Sequence, residues 1–390
     1  MYKYKRNGFT LVELMAVIII ISLIALLTFP NIINQIKKTK KSNNKMIEDV
    51  IIEQAKKYVN DNKDELTEDE YCIQIATLID NDYIKEDLTS INDIKDNKAV
   101  QVISGDDDSY KIVDKDKCVP TAVKYLLKKT NPITITNYTD GNIHEMYTFE
   151  HEATVQTPAL TDYRYIGSDP NNYVEFNNEL WRIIGVFETD DGTGNYEKRV
   201  KIIRNDTLGN NKWNASQVNE WVGSTMQIYL NDTYQIEDTS IEMIATSKYY
   251  LGARANNSTN GSGFYSSERS EVVNRETRSK NWIGKLGLMY PSDYIFVYAL
   301  GVNDTCYNTP GSCNNSTPSS GWLYSSDYRQ WTITHYSGTA SAIFYASSSG
   351  GIYNENSGNS YGTRPVLYLK SYVKITSGDG TIDNAYKLSM

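Results

Sequence analysis

Residues 9–29 constrain the fold more than any other stretch of the chain. The stretch is 21 residues long and contains a single charge, Glu13. At a rise of about 1.5 Å per residue, a helix of this length covers the hydrocarbon core of a bilayer, which is roughly 30 Å thick. Three basic residues stand in the short segment before it. We therefore predict a membrane-spanning helix that decides where the rest of the chain is placed.

Glu13 sets this segment apart from a plain anchor. A carboxylate inside a membrane helix costs roughly 2.5–3.5 kcal/mol on insertion scales, and it usually has a partner. The apolar run holds no cation, so we expect the partner of Glu13 to come from another chain. The run is too long for the core of a secretory signal peptide, and no small-x-small cleavage site follows it.

The residues Gly8-Phe9-Thr10-Leu11-Val12-Glu13 resemble the processing and methylation site of type IV prepilins and pseudopilins. The resemblance implies a leader over residues 1–8, which a prepilin peptidase and methyltransferase removes after Gly8 before methylating the new amine of Phe9. It also implies that Glu13 faces the Phe9 amine of a neighbouring subunit. Residues 9–30 would then be a transmembrane helix that becomes filament core, with a kink at Pro30.

The same resemblance implies where the chain resides. Five lysines follow the apolar run, at positions 37, 38, 40, 41 and 45, and the positive-inside rule alone would place them in the cytoplasm. Because the peptidase acts on the leader at the cytoplasmic face, we instead expect a single-pass protein of the cytoplasmic membrane with its N-terminus inside. Its partners would be membrane lipid before assembly and other pilin subunits after it, when the chain lies in an extracellular pilus at the cell surface. A net charge of -9 repels nucleic acid, so no such partner is expected.

Residues 31–119 are predicted to form a pilin stem and head. Apolar residues from Ile32 to Val59 recur mostly at steps of three, four or seven, which is typical of an amphipathic helix. A second helix is predicted from Thr67, with Glu70 completing a capping box, through Ile79. Two strands are predicted at 99–103 and 110–113. This order is similar to the compact head of Gram-positive pilins.

The four cysteines are predicted to form disulfides, because all follow the membrane segment and their number is even. Their spacing does not match a zinc site, and neither a metal nor a cofactor is expected. Sequence proximity favours two pairs, although four cysteines allow three connectivities and unpaired thiols are the alternative. The favoured pairs are Cys72 with Cys118 and Cys306 with Cys313.

The composition changes beyond Cys118. All six tryptophans and 25 of the 31 tyrosines lie there, among dense Asn, Ser, Thr and Gly. Residues 120–155 are interpreted as a linker. Residues 156–390 are interpreted as a second domain of short strands with a helix at 216–230. The whole chain is therefore predicted to be an α+β protein. Strands are predicted at 173–176, 180–187, 200–204, 295–300, 331–335, 342–346, 366–369, 373–376 and 386–388.

Several sequence segments of this second domain resemble a module common in surface proteins of low-GC Gram-positive bacteria. They are Glu179-Leu180-Trp181-Arg182-Ile183-Ile184-Gly185-Val186, Leu288-Met289-Tyr290-Pro291-Ser292 and Gly362-Thr363-Arg364-Pro365-Val366-Leu367. That module in turn is similar to the C-type-lectin and formylglycine-generating-enzyme type of fold. The resemblance implies a β-rich, lectin-like surface domain.

A ligand-binding surface is predicted over residues 322–361. Aromatic residues there alternate with Ser, Asn and Gly; tyrosine supplies rigid contact area and small polar residues supply adaptable hydrogen bonds. The alternative is that the aromatic residues fill a core, which we prefer for Trp181, Trp221 and Trp282. The candidate ligand-binding residues are Trp322, Tyr324, Asp327, Tyr328, Trp331, Tyr345, Tyr353, Asn354, Asn356 and Tyr361.

Catalysis is not expected, because the sequence contains neither a nucleophile elbow nor a phosphate-binding glycine loop. The chain is therefore predicted to be a pilin-like subunit, more suited to a minor position than to the bulk of a filament, whose second domain binds a glycan or a host surface protein. The alternative is a structural pseudopilin of a type II secretion or DNA-uptake system, in which the second domain is a spacer that binds nothing.

Overall fold

A computed structural model of the chain describes its structure over most of the second half and parts of the first. The described residues are 44–63, 70–85, 97–103, 108–115, 120–134, 145–255, 260–273, 275, 277–298 and 321–390, with Leu11, Leu14, Met15, Ile18 and Ile19. These last five are helical and exposed. Within the described part of the chain, no helix is both long and apolar enough to cross a membrane.

Most of the predicted membrane segment at 9–30 lies outside the described residues. The same is true of Gly8, Phe9, Glu13 and Pro30. The chain divides into two compact units, Met1–Val119 and Pro120–Met390. Each unit has its own buried cluster of apolar side chains.

In the N-terminal unit, a helix packs on a small antiparallel sheet. Residues 44–61 are helical (α1). The sheet has the order β1-β2-β3, with β1 at Glu70–Gln74, β2 at Lys98–Ile103 and β3 at Ser109–Asp114, and a short helix, α2 (Ile75–Asp80), follows β1. Ile51, Ala55 and Val59 are four residues apart and so share one face of α1. They pack against apolar side chains of α2 and the sheet.

The region of the predicted second helix is a strand followed by a helix. Residues 70–74 pair with β2 in antiparallel register, with Cys72 opposite Gln101, and helical structure begins only at Ile75. The two predicted strands of this unit are confirmed as β2 and β3. Cys72 is disulfide-bonded, while Cys118, Cys306 and Cys313 lie outside the described residues, so the connectivity stays a prediction.

The C-terminal unit is rich in β-structure, and its larger sheet holds ten of the described strands. Seven follow one another in the order β13-β18-β9-β8-β6-β5-β4; β7 pairs with β8 and β20, and β20 pairs with β19. The strands are β4 (Ile133–Thr134), β5 (Met146–His151), β6 (Leu160–Tyr165), β7 (Tyr173–Phe176), β8 (Glu179–Asp190), β9 (Tyr196–Arg204), β13 (Leu286–Gly287), β18 (Val366–Tyr368), β19 (Lys374–Ser377) and β20 (Tyr386–Ser389).

A second sheet and several short helices complete the described part of this unit. The second sheet has the order β10-β17-β14-β15-β16, and β11 pairs with β12. These strands are β10 (Asn210–Lys212), β11 (Ser247–Tyr250), β12 (Asn281–Gly284), β14 (Gln330–His335), β15 (Ala342–Ala346), β16 (Ile352–Asn356) and β17 (Ser360–Gly362). The helices are α3 (Ala122–Thr130), α4 (Thr225–Ile228) with a π turn at Tyr229–Thr233, α5 (Asp238–Ile241), α6 (Gly261–Glu268) and α7 (Pro291–Ile295).

Large aromatic side chains fill the core of the C-terminal unit. Trp181, Trp213 and Trp221 are completely buried, and Trp282 is partly buried against the same cluster. The core interpretation of Trp181, Trp221 and Trp282 is therefore confirmed. Burying side chains of this size contributes much of the hydrophobic stabilisation of a loop-rich fold.

Within the predicted linker at 120–155, the described residues 120–134 and 145–155 contribute to the folded core instead. The side-chain oxygen of Thr121 accepts a hydrogen bond from the backbone N–H of Lys124 and so caps α3. Ala122 and Leu126 lie four residues apart on one face of α3 and are buried in the main cluster. After α3, β4 and β5 join the larger sheet. This part of the chain is folded because α3 is amphipathic, and its apolar face is buried against the main cluster.

Candidate ligand-binding face

Three aromatic side chains form a row across the second sheet. In the antiparallel register, Trp331 of β14 lies opposite Tyr345 of β15, and Tyr345 lies opposite Tyr353 of β16. Residues directly opposite each other in adjacent strands point to the same face of a sheet. The ring centroids are 6.3 Å apart for Trp331 and Tyr345, and 6.2 Å apart for Tyr345 and Tyr353.

Tyr361 of β17 fills the space above this row. Its ring centroid is 4.6 Å from that of Trp331 and 4.9 Å from that of Tyr345. The indole N–H of Trp331 donates to the backbone carbonyl of Asn211 at 2.9 Å, which fixes the orientation of the indole. Trp331 is only 1% exposed, whereas Tyr353 and Tyr361 are partly exposed. We call Trp331, Tyr345, Tyr353 and Tyr361 the aromatic face.

Charged groups border the aromatic face. Arg329 is exposed and precedes Trp331 by two residues. Its guanidinium lies 5.3 Å from the ring centroid of Tyr361 and 5.5 Å from that of Tyr345, and it donates to the Tyr361 hydroxyl at 2.9 Å. This hydrogen bond raises the pKa of Arg329, and burial raises the pKa of Tyr345. Glu355, partly exposed, shares the Tyr353 side of β16 because side chains alternate along a strand.

Four other candidate residues from the segment before β14 do not join the face. Trp322 belongs to the core: it is buried, its N–H donates to the carbonyl of Tyr165 at 3.0 Å, and a guanidinium lies 4.6 Å from its ring centroid. The Tyr324 hydroxyl donates to the carbonyl of Ser348 at 3.0 Å. Asp327 is exposed in a turn, and Tyr328 packs so closely against Gly362 that an added Cβ there would lie 2.7 Å from its ring.

The two candidate asparagines lie on the other side of β16. Asn354 is opposite Phe344 and Asn356 is opposite Ala342, both of which are buried. The Asn356 side-chain oxygen accepts a hydrogen bond from the backbone N–H of Gly358 at 2.8 Å, which stabilises the turn after β16. Of the ten candidates, the structure therefore brings together the four residues of the aromatic face.

A second polar site, which the sequence reasoning missed, lies inside the C-terminal unit. Asp293 is buried, and it accepts from Arg164 at 3.0 Å and contacts the Lys201 ammonium at 2.5 Å. Arg164 also donates to Asp162 at 2.8 Å, and Asp162 contacts the His151 ring nitrogen at 3.0 Å. Burial opposes ionisation of both carboxyl groups, but the neighbouring cations outweigh it and hold the pKa of Asp162 and of Asp293 below the ordinary value.

A buried glutamate and arginine lie next to these groups. Glu268 contacts Arg269 at 3.3 Å and accepts from the backbone N–H and hydroxyl of Ser292 at 2.9 and 2.6 Å. The Arg269 guanidinium lies 3.4 Å from the ring centroid of Tyr265. Burial raises the pKa of Glu268 and lowers the pKa of His151. We call the set of charged and titratable residues the buried ionic cluster; it consists of His151, Asp162, Arg164, Lys201, Glu268, Arg269 and Asp293.

Comparison with known proteins gives one match, at the N-terminus. Residues 3–29 match the family described as the prokaryotic N-terminal methylation motif. No curated protein and no solved structure matches the chain. The matched residues include Gly8, Phe9 and Glu13. This chain carries the N-terminal motif of type IV pilin-like prepilins, which implies processing by a prepilin peptidase, membrane anchoring and assembly with other pilins at the cell surface.

Proposed function

We propose that this chain is a pilin-like subunit whose C-terminal unit binds a surface glycan through the aromatic face. The observation that carries the proposal is the aromatic face itself. Tyr353 and Tyr361 offer partly exposed rings on a sheet, and Trp331, which packs against Tyr361, is held by a hydrogen bond to the backbone. Rigid support of this kind lowers the entropy that binding must overcome.

The chemistry of the aromatic face suits a sugar ring. The C–H groups on one side of a pyranose form an apolar patch that packs against an aromatic ring. Arg329 and Glu355 stand at the border of the face, where a guanidinium donates to sugar hydroxyls and a carboxylate accepts from them. We expect binding without catalytic turnover, and we place the chain in a lectin-like class of surface modules.

The binding test uses the full chain, which includes the apolar segment at residues 9–29, and therefore requires detergent. A panel of glycans and host surface proteins is screened against the wild type, Tyr361→Ala and the control Tyr372→Ala. Tyr372 is an exposed tyrosine outside the aromatic face. We expect a glycan ligand that loses affinity in Tyr361→Ala and keeps it in Tyr372→Ala. Equal loss in both variants, or a panel without any binder, would contradict the proposal.

Assembly is tested separately from binding. Glu13→Val removes the carboxylate that would meet the amine of a neighbouring subunit, so we expect insertion into the membrane to persist and incorporation into filaments to fall. Thr28→Val is the matched control, since it also replaces a polar residue of the apolar run by valine. Immunoblots of membrane and sheared filament fractions give both quantities. Unchanged incorporation of Glu13→Val would contradict the filament role.

The spacer alternative makes a different prediction for truncation. Because the C-terminal unit begins at Pro120, the informative truncation removes residues 120–390 rather than 156–390. A binding module is dispensable for assembly, so we expect filaments that form but no longer bind. If filaments or secretion are lost instead, the C-terminal unit serves assembly, and the chain acts as a structural pseudopilin.

A further inference from the structure

Lys201 and Asp293 lie in contact where water does not reach them. Lys201 is in β9 and Asp293 is in α7, 92 residues later in the sequence. Each side chain is 1% exposed, and the Lys201 nitrogen is 2.5 Å from one carboxylate oxygen of Asp293. The carboxylate carbon of Asp293 is bonded to this oxygen, so it lies only slightly farther from the Lys201 nitrogen. An amine attacks a carbon from roughly 3–3.5 Å, and the two atoms are already close to that separation.

Burial of Lys201 favours its uncharged form, whereas the aromatic rings around it and Asp293 favour the ammonium. Its nitrogen lies 4.6 Å from the ring centroid of Tyr290, 5.1 Å from that of Phe187 and 5.3 Å from that of Tyr368. Burial lowers the pKa of Lys201. A lysine removed from water reaches the neutral amine more readily than a solvated one, and the neutral amine is the nucleophile.

The surroundings of Asp293 hold its two oxygens in different ways. One oxygen accepts from Arg164 at 3.0 Å; the other accepts from the backbone N–H of Tyr290 at 2.9 Å and contacts Lys201. Glu268 binds the backbone N–H and hydroxyl of Ser292, the residue before Asp293, and so positions this turn. Arg164 is placed to stabilise negative charge that develops on the first oxygen.

We propose that Lys201 and Asp293 become joined by an amide bond between the lysine side-chain nitrogen and the aspartate side-chain carbon. One proton passes from the ammonium to the carboxylate, which gives an amine and a carboxylic acid. The nitrogen lone pair then attacks the carbon, and the oxygen that faced Lys201 leaves as water with that proton and a second one from the nitrogen. The oxygen bound to Arg164 remains as the amide carbonyl, and the step needs no other reactant.

Charge balance in the buried ionic cluster is preserved by this step. One positive and one negative charge disappear together, while Arg164 keeps Asp162 at 2.8 Å and Arg269 keeps Glu268 at 3.3 Å. Burying an ion pair carries a large desolvation cost that the pair repays only in part. Conversion to a neutral amide removes this cost, and release of water from a buried site favours the product.

Peptide mass spectrometry of the full chain, reduced and digested with trypsin, tests the bond. Trypsin does not cleave after an acylated lysine, so the amide would appear as residues 200–204 joined to residues 286–329, lighter by one water than the two peptides together. We expect this branched peptide in the wild type. Recovery of only the separate peptides, with cleavage after Lys201, would overturn the proposal without affecting the proposed glycan binding.

Two lysine variants assign the bond. Lys201→Arg removes the nucleophile, so the branched peptide should be absent. Lys198→Arg is the matched control, three residues away in β9 and in contact with the Tyr163 hydroxyl at 3.2 Å; it should retain the branched species. A branched peptide that persists in Lys201→Arg would show that another residue forms the link and would overturn the assignment. The wild-type digest decides the proposal even if Lys201→Arg fails to fold.

Discussion

The aromatic face and the buried ionic cluster belong to the same unit but use charge in opposite ways. At the border of the aromatic face, Arg329 is exposed and lies next to the neutral ring of Tyr361. In the buried ionic cluster, Arg164 is fully buried and meets two carboxylates. The solvated arginine is free to exchange water for a ligand, whereas the buried one is bound to its partners by the cost of desolvation. The two arginines therefore separate the proposed recognition role from a structural role.

Replacing each of the two arginines by methionine tests this difference most strongly. Arg164→Met leaves buried carboxylates without their cation, so we expect the free energy of unfolding to fall by about 3–5 kcal/mol. Arg329→Met removes an exposed side chain, and we expect a change within about 0.5 kcal/mol. Denaturant unfolding of the full chain in detergent measures both. Similar values for the two variants would mean that the cluster does not depend on charge pairing.

The dependence of stability on pH tests a further buried titratable group of the C-terminal unit, His335. Burial lowers the pKa of His335 from 6.5 to about 3, and neither ring nitrogen has a hydrogen-bond partner among the described residues. Between these two pH values the unfolded chain binds a proton that the folded chain does not. Stability therefore falls as the pH drops below 6.5, by up to about 1.4 kcal/mol per unit.

His335→Phe is the variant that tests this slope. Phenylalanine has a similar ring and does not titrate, so the loss of stability between pH 7 and pH 5 should become smaller in denaturant unfolding. Part of the slope should remain, because burial also lowers the pKa of His151. A slope that is identical in the wild type and the variant would show that His335 is not the group responsible.

The smallest expected effect concerns recognition. Arg329→Met removes a charged donor at the border of the aromatic face, so affinity for the ligand found in the screen should fall roughly tenfold, equivalent to about 1.4 kcal/mol. Titration calorimetry with the full chain measures it. Asp327→Asn is the control, since Asp327 is exposed but lies outside the face. Weaker binding only in the Asp327 variant would move the site away from the aromatic face.

Several strands could be predicted from local sequence, whereas only four of the ten candidate ligand-binding residues come together on the aromatic face. The strands at 173–176 and 342–346 are confirmed with the predicted bounds, because runs of aliphatic, β-branched and aromatic residues indicate strands. Tyr353 and Tyr361 were predicted for a different local reason, because they are aromatic residues among Ser, Asn and Gly. Local sequence did not predict the pairing register of the strands. The register places Trp331 on the aromatic face and Asn354 on the opposite face of the sheet.

Two wrong predictions have backbone causes. The predicted helix at 216–230 is helical only from Thr225, because Gln217 and Gly223 adopt positive φ angles of 57° and 77° and break the apolar periodicity into turns. The predicted strand at 295–300 is wrong over its described residues, because Ile295 ends α7. Pro291 suits the first turn of this helix, and the Asp293 carboxylate accepts from the backbone N–H of Tyr290 at 2.9 Å. The described residues after α7, up to Tyr298, form a turn and an isolated bridge.

The buried ionic cluster was not predictable from spacing, because its contacts join distant parts of the chain. Arg164 and Asp293 are 129 residues apart, and Lys201 and Asp293 are 92 apart. The available signal was the position of single charges inside strand-like runs, such as Lys201 between Val200 and Ile202. Such a charge faces either water or a buried partner, and only the fold decides between the two.

The attachment of α3 has a mechanical consequence. The backbone N–H of Ala122 donates to the carbonyl of Val373 at 2.7 Å, and the Lys129 ammonium donates to the carbonyl of Asp379 and the hydroxyl of Tyr386, each at 2.5 Å. In the proposed role, a filament would pull on this unit through residue 120, while a bound ligand would pull on residues 329–361. Thr121 pairs with Lys374 of β19, so tension would load this bridge and α3 first. Detachment of α3 would lengthen the tether while the aromatic face stays folded and holds its ligand.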